Sequence, residues 1–182
     1  MSREEQLWRE IASLKRQLSA LRNETGLALR QANRTGRTIF ALYQTNTQQT
    51  LTDSDYSRID FEDKVADTHD AVTTGASWVF TCPAERVYLC FGGVKVAAST
   101  DWGLNELAIL WPYKNGAIYG GMMDVKTNTN TTGGSLSLGV FGGIPIQCVK
   151  GDTIAFFVYQ NSGNNRLTNG IANNNWCAIV GI

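Results

Sequence analysis

His69, four scattered cysteines and a spread of carboxylates are the groups in this 182-residue chain that could do acid–base or nucleophilic chemistry. A Ser-His-Asp or Cys-His arrangement would have to use His69, which stands in the polar run Asp67-Thr68-His69-Asp70 with no nucleophile motif around it. Glycoside hydrolysis needs two carboxylates at a fixed separation. Asp101, Glu106, Asp124 and Asp152 are present, but any strand-rich domain offers such pairs by chance. The sequence contains no phosphate-binding glycine loop, nucleophile elbow or His-Glu-x-x-His helix. Cys82, Cys90, Cys148 and Cys177 lie far apart in apolar runs and form no Cys-x-x-Cys unit. They are expected to be free buried thiols, with a disulfide formed in an oxidising medium and a metal site as the alternatives. Asp53, Asp55, Asp60, Glu62, Asp63, Asp67 and Asp70 make an acidic patch whose spacing fits no calcium loop. Neither a metal nor any other cofactor is expected, and no enzyme activity.

Binding chemistry is better represented. Trp102, Trp111, Tyr113 and Tyr119 with Asn128, Asn130, Asn164, Asn165 and Asn173 form a polar-aromatic mixture suited to sugars. Rings stack on apolar sugar faces while amides bond hydroxyls. Trp102, Tyr119, Asn128, Asn130, Asn164 and Asn165 are the foremost candidates, set against a reading in which the rings are core and the asparagines turn residues.

The elements that must position these groups fall into two parts. A single ordinary core uses roughly 100–150 residues, so part of the chain is expected to lie outside it. Lys+Arg and Asp+Glu are equal at 16 each, which gives no excess charge for nucleic acid or an anionic membrane. The balance conceals a split. Residues 1–37 carry 8 basic and 4 acidic side chains, a net of +4, and residues 38–182 carry 8 and 12, a net of −4. No apolar run is long enough to span a bilayer, and the charged opening Met1-Ser2-Arg3-Glu4-Glu5 leads to the expectation of a soluble cytosolic product.

The first part is a rod. Leu7, Ile11, Leu14, Leu18, Leu21, Thr25, Ala28 and Ala32 alternate spacings of four and three, a heptad seam of eight core positions. Its other faces are Arg, Lys, Glu, Gln and Ser, so the stripe is too narrow to gain much by docking on a globular surface and self-association is expected. Ile at a with Leu at d leaves dimer and trimer both open. A helix of about 30 residues is a rod about 45 Å long. Residues 38–74 read as a polar connector, and residues 75–182 as a domain of strands.

In that domain the expected strands are 78–82, 86–97, 104–113, 117–125, 135–141, 144–149, 153–160 and 176–182, broken by glycine pairs and Asn-Gly or Asn-Ser turns. Such a series predicts a mainly β, two-sheet sandwich or jelly roll. Lys114-Asn115-Gly116 is a hairpin signal. Residues 153–159 are apolar at both alternating sets of positions, as are residues 176–182, so each strand should have neither face in water. One sandwich core covers one face. A subunit interface is expected to cover the other, with Phe157, Tyr159, Trp176 and Ile179 at the axis between chains.

Three segments carry a resemblance. Residues 150–163, Lys-Gly-Asp-Thr-Ile-Ala-Phe-Phe-Val-Tyr-Gln-Asn-Ser-Gly, with the closing strand from Trp176, resemble the C-terminal third of the trimeric jelly-roll family. That family holds the globular head of the first complement component and the tumour necrosis factor ligands. Residues 78–89 resemble its opening strands and residues 113–116 its mid-domain hairpin. The Tyr159-Gln160-Asn161-Ser162-Gly163 ending is similar to bacterial and bacterial-virus members. The resemblance implies a homotrimer on a stalk. With the heptads, it leads to the expectation of a non-enzymatic bacteriophage virion protein, a short head fibre or capsid decoration assembled in the host cytoplasm and displayed on the particle surface. Its N-terminal helix would hold a capsid or tail protein and its knob a host-surface glycan. A tail-fibre tip and a free lectin-like module are the alternatives.

Overall fold

Alternation of apolar and polar side chains along short segments makes strands rather than helices from Ile39 onward, since a period of two puts successive residues on opposite faces. The computed structural model describes residues 38–100, 102–120, 123–126 and 137–182. In chain order the strands are β1 (Ile39–Gln44), β2 (Thr50–Leu51), β3 (Asp55–Arg58), β4 (Asp63–Asp67), β5 (Val72–Thr73), β6 (Val79–Thr81), β7 (Arg86–Lys95), β8 (Leu107–Lys114), β9 (Ala117–Ile118), β10 (Met123–Lys126), β11 (Gly139–Cys148), β12 (Thr153–Gln160), β13 (Arg166–Leu167) and β14 (Trp176–Gly181).

Among the described residues these strands make two main antiparallel sheets. A five-stranded sheet runs β11-β7-β14-β1-β4, and a seven-stranded sheet runs β10-β8-β12-β6-β5, with β3 added beside β12 and β9 beside β8. The first and last strands are neighbours: Ile39 faces Gly181 and Gln44 faces Trp176 across β1 and β14. Between the sheets lies a core of Trp78, Phe80, Phe61, Phe156, Tyr88, Ile154 and Ile179, all fully buried. Phe61 meets Trp78 and Phe156 edge-on at centroid distances of 5.4 and 6.0 Å, and Phe80 meets Tyr88 at 5.6 Å. Such pairs add about 0.5–1.5 kcal/mol beyond their burial. The four cysteines are free and buried in this core.

Two expectations change. Residues 38–74 are not a connector: they supply β1 to β5, and the unit that contains the sandwich begins at Thr38. Their polar residues are there to close turns. Asp67 accepts hydrogen bonds from the Ala71 and Val72 amides and from the Tyr43 hydroxyl, and Asp60 accepts from the Trp78 amide. Burial and the Asp67 charge push the Tyr43 phenol upward, so it stays a proton donor to that carboxylate. The second change is at Gly142-Gly143, which does not divide two strands. β11 pairs with β7 in unbroken register from Gly139 opposite Lys95 to Cys148 opposite Arg86.

The hairpin signal is present as expected. Asn115 and Gly116 have φ of 52° and 77°, the left-handed pair that suits a two-residue turn. The turn is locked to residues far along the chain. Asn115 Oδ1 accepts from the Thr153 amide at 2.8 Å, its Nδ2 donates to Asp152 at 2.9 Å, and Lys114 Nζ pairs with Asp152 at 2.9 Å. The Asn115 bond, the Val149 amide and Lys114 hold the Asp152 carboxyl down to about 2. The segments Lys114-Asn115-Gly116 and Lys150-Gly151-Asp152 thus form one junction. The heptad seam lies in residues 1–37, outside the described residues.

Candidate functional site

The five-stranded sheet turns Ile39, Ala41, Tyr43, Tyr88, Cys90, Val94, Cys177 and Ile179 into the core. Its other face therefore carries the alternate residues, and register aligns them in rows. Phe40, Val180, Leu89 and Pro145 form one row, Leu42, Ala178, Phe91 and Gly143 a second, and Gln44, Trp176, Gly93 and Phe141 a third. Across β1, β14, β7 and β11 no charged residue stands in these rows; Lys95 marks one edge and Asp63 of β4, opposite Gln44, another. Phe141 is 59% exposed and Phe91 38%.

Glycine has a definite role in this face. A Cβ on Gly143 would lie 2.5 Å from the Phe91 ring, and one on Gly93 would lie 2.7 Å from Trp176 Nε1. Each glycine lets a ring from the neighbouring strand lie across the backbone, which flattens the surface. Beside Trp176 a shallow depression of about 210 Å³ is lined by Lys95, Phe141, Asn173 and Asn174.

The seven-stranded sheet presents a different outer face. Strands β3, β12 and β8 bring Tyr56, Tyr159, Phe157, Trp111 and Tyr113 together. Tyr113 stacks on Phe157 at 3.9 Å, and Tyr56 lies 5.2 Å from Tyr159, 6.0 Å from Tyr113 and 6.3 Å from Trp111. The Arg58 guanidinium sits 5.1 Å above Phe157. Partial burial, with Tyr56 and Asp55 nearby, raises the Tyr113 phenol.

No family model matches the chain, and no curated protein does. Solved structures do. The Eiger tumour necrosis factor of S. frugiperda aligns over 80% of this chain and 92% of its own, with 15% identity and a TM-score of 0.57. Murine APRIL aligns over 80% of this chain and all of its own, with 11% identity and a TM-score of 0.53. The chain has the tumour necrosis factor jelly-roll fold. The globular domain of zebrafish complement 1qA aligns over 79% of this chain and 95% of its own, with 16% identity and a TM-score of 0.48.

The jelly roll distributes the sequence-derived candidates differently from expectation. Ile179 is 0% exposed and packs inside the sandwich, so it cannot reach another chain. Trp176, three residues earlier on the same strand, is on the open face. Phe157 and Tyr159 lie on the other sheet, where neighbouring rings of the same chain partly cover them. The foremost glycan candidates do not converge. Trp102 is fully buried under the Arg166 guanidinium, 4.9 Å from its ring, and cannot stack on a ligand. Tyr119 bonds Pro112 near the far end of β8, whereas Asn161, Asn164 and Asn165 belong to the loop beside its start, where the Leu107 amide donates to Asn161. Five strand residues separate those ends, about 17 Å. Asn165 is occupied in accepting the Asp53 amide. Asn128 and Asn130 lie outside the described residues.

Some residues went unnoticed in the sequence. Gln160, Ser162 and Arg166 form a buried polar knot, in which Arg166 Nε donates to Ser162 Oγ at 2.6 Å and Ser162 Oγ to Gln160 Oε1 at 2.6 Å. Their only signal was a polar residue closing an apolar strand. His69 lines an open cleft of about 310 Å³ with Asp70, Cys82 and Lys150. Its Nδ1 meets Thr68 Oγ1 at 2.8 Å, and burial pushes the Cys82 thiol upward, away from thiolate character.

Proposed function

We propose that this chain is a homotrimeric, non-enzymatic stalk-and-knob protein of a bacteriophage particle, a short head fibre or capsid decoration. The observation that carries self-association is the open face of the five-stranded sheet. Across β1, β14, β7 and β11, three rows of side chains, apolar except for Gln44, carry no charge, a surface that soluble monomers rarely leave uncovered. Packed on equivalent faces it becomes a dry interface core, with Lys95 and Gln147 at the rim. Closure into three follows the likeness to the complement and tumour necrosis factor jelly rolls, and a closed ring leaves no apolar face unpaired. On this reading the axis lies beside Trp176, Phe91 and Val180 rather than beside Phe157.

The heptad seam of residues 7–32 supports a parallel coiled-coil stalk, and its net +4 segment supports attachment to the particle through residues 1–37. The Tyr159–Gly163 ending supports the bacteriophage setting. Sedimentation should return a mass near three chains of 20.0 kDa each. A stable monomer at micromolar concentration overturns the trimer. Labelled imaging of intact particles should find the protein on their surface, and deletion of residues 1–37 should leave a folded knob trimer that no longer attaches. A trimer absent from particles overturns the virion role alone.

A further inference from the structure

The outer face of the seven-stranded sheet is aromatic, with Tyr56 exposed and its neighbours half-buried, and among the described residues its phenol hydroxyls are not used. The hydroxyls of Tyr56, Tyr113 and Tyr159 make no hydrogen bond among the described residues, and Arg58 makes no ion pair there. Trp111 Nε1 is shielded from water and has no acceptor among those residues. Trp78 Nε1 also lacks an acceptor among those residues but is sealed in the core, whereas Trp111 stands on the outer face, where an acceptor can come from outside. The ring that lies next to it is Tyr56, which is 37% exposed and stands on the short strand β3.

We propose that this platform binds an uncharged saccharide. A pyranose presents one face of C–H groups, which rests on aromatic rings, and a rim of hydroxyls, which need donors and acceptors at the same depth. Three phenols and one guanidinium supply that rim, with the Trp111 N–H beneath them as a further donor. Rings fixed on adjacent strands lose little freedom when a ligand lands. The net charge of −4 on residues 38–182 opposes nucleic acid and acidic glycans, which leaves neutral sugars as the ligand class. The platform lies on the sheet opposite the proposed trimer face, so three copies would point outward. This rests on reading the knob as the host-contacting end and adds where the contact is made.

The test uses the full chain against immobilised neutral oligosaccharides built from glucose, galactose or N-acetylglucosamine, with uronate-containing oligosaccharides beside them, and then titration calorimetry of the tightest. Tyr56→Ala should weaken binding at least about tenfold, and Trp111→Phe, which removes the N–H, should weaken it several-fold. Val149→Ala, an exposed residue just after β11 and in neither face, should leave it unchanged. Tyr159→Phe deletes one hydroxyl and keeps the ring, so it reads the site even if Tyr56→Ala fails to fold. No neutral oligosaccharide bound, a preference for uronates, or binding unaffected by Trp111→Phe and Tyr159→Phe overturns the proposal. Sedimentation of the same samples reports the trimer independently, so loss of either reading is seen separately.

Discussion

Both outward faces of this sandwich are rich in apolar residues, yet they differ in kind. The five-stranded sheet offers rows of aliphatic side chains and separate rings levelled by two glycines, with few polar atoms among them. The seven-stranded sheet offers rings that already touch one another, tipped with phenol hydroxyls and one guanidinium. The first kind gains by meeting a copy of itself, because nearly every group on it prefers to leave water. The second keeps polar atoms that would be stranded against a dry partner but are satisfied by a hydroxyl-rich ligand. Apolar character alone does not separate the faces. The placement of polar atoms separates them.

The sharpest way to break this distinction is to put a carboxylate on each face. Val180→Asp would bury three like charges near the proposed axis, each costing several kcal/mol, and sedimentation should fall from three chains to one. Phe157→Asp should keep the trimer while losing the Tyr113 stack and the Arg58 contact with the ring, with a modestly lower melt. The reverse outcome would place the axis on the seven-stranded sheet.

A smaller effect tests how tightly the five-stranded face is packed. In Gly143→Ala the new methyl collides with the Phe91 ring, and overpacking of this sort costs about 1–3 kcal/mol. At roughly 2–4 °C per kcal/mol for a domain of this size, the melting temperature should drop measurably. Gly139→Ala, with nothing within 4 Å of the added carbon, should move it little. Equal melts for the two would mean that Phe91 is not held over Gly143.

The smallest effect concerns acid and the seven-stranded sheet, whose hairpin is tied by Asp152. A carboxyl whose folded pKa lies below its unfolded value stabilises fully above the unfolded value, about 4, and loses that contribution as pH falls through the folded one. With Asp152 at about 2, the wild-type melting temperature should decline between pH 4 and 2 more steeply than that of Asp152→Asn. Parallel profiles would show that the junction adds nothing to stability.

Much of the fold was legible because strands of five to ten residues with apolar alternation need no outside information. Residues 153–160 and 176–181 were read as strands, and so was the hairpin at Asn115-Gly116. β1 was missed although Ile39-Phe40-Ala41-Leu42-Tyr43 is apolar, since a five-residue apolar run next to a heptad segment is ambiguous between helix and strand. The glycine pairs misled for another reason. A glycine in a turn and a glycine beneath a neighbour's ring look alike until the neighbour is known. Trp111 and Tyr113 were noticed for sugar chemistry while their partners Tyr56, Phe157 and Tyr159 were not, because the cluster is assembled from three strands spread over about 100 residues of sequence.

The sequence by itself determined that the last strand would be apolar on both sides, that the turn at residues 114–116 would reverse the chain, and that a positive segment would precede a negative one. Side-chain alternation and turn chemistry act over a few residues, so they are written locally. Which alternate set faces the core, which strand lies beside which, and therefore which rings share a surface were decided only in three dimensions. β1 meets β14 across almost the whole domain, and that pairing sends Ile179 inward and Trp176 outward. Strand pairing is a long-range choice governed by burial of the whole sheet, and no local pattern specifies it.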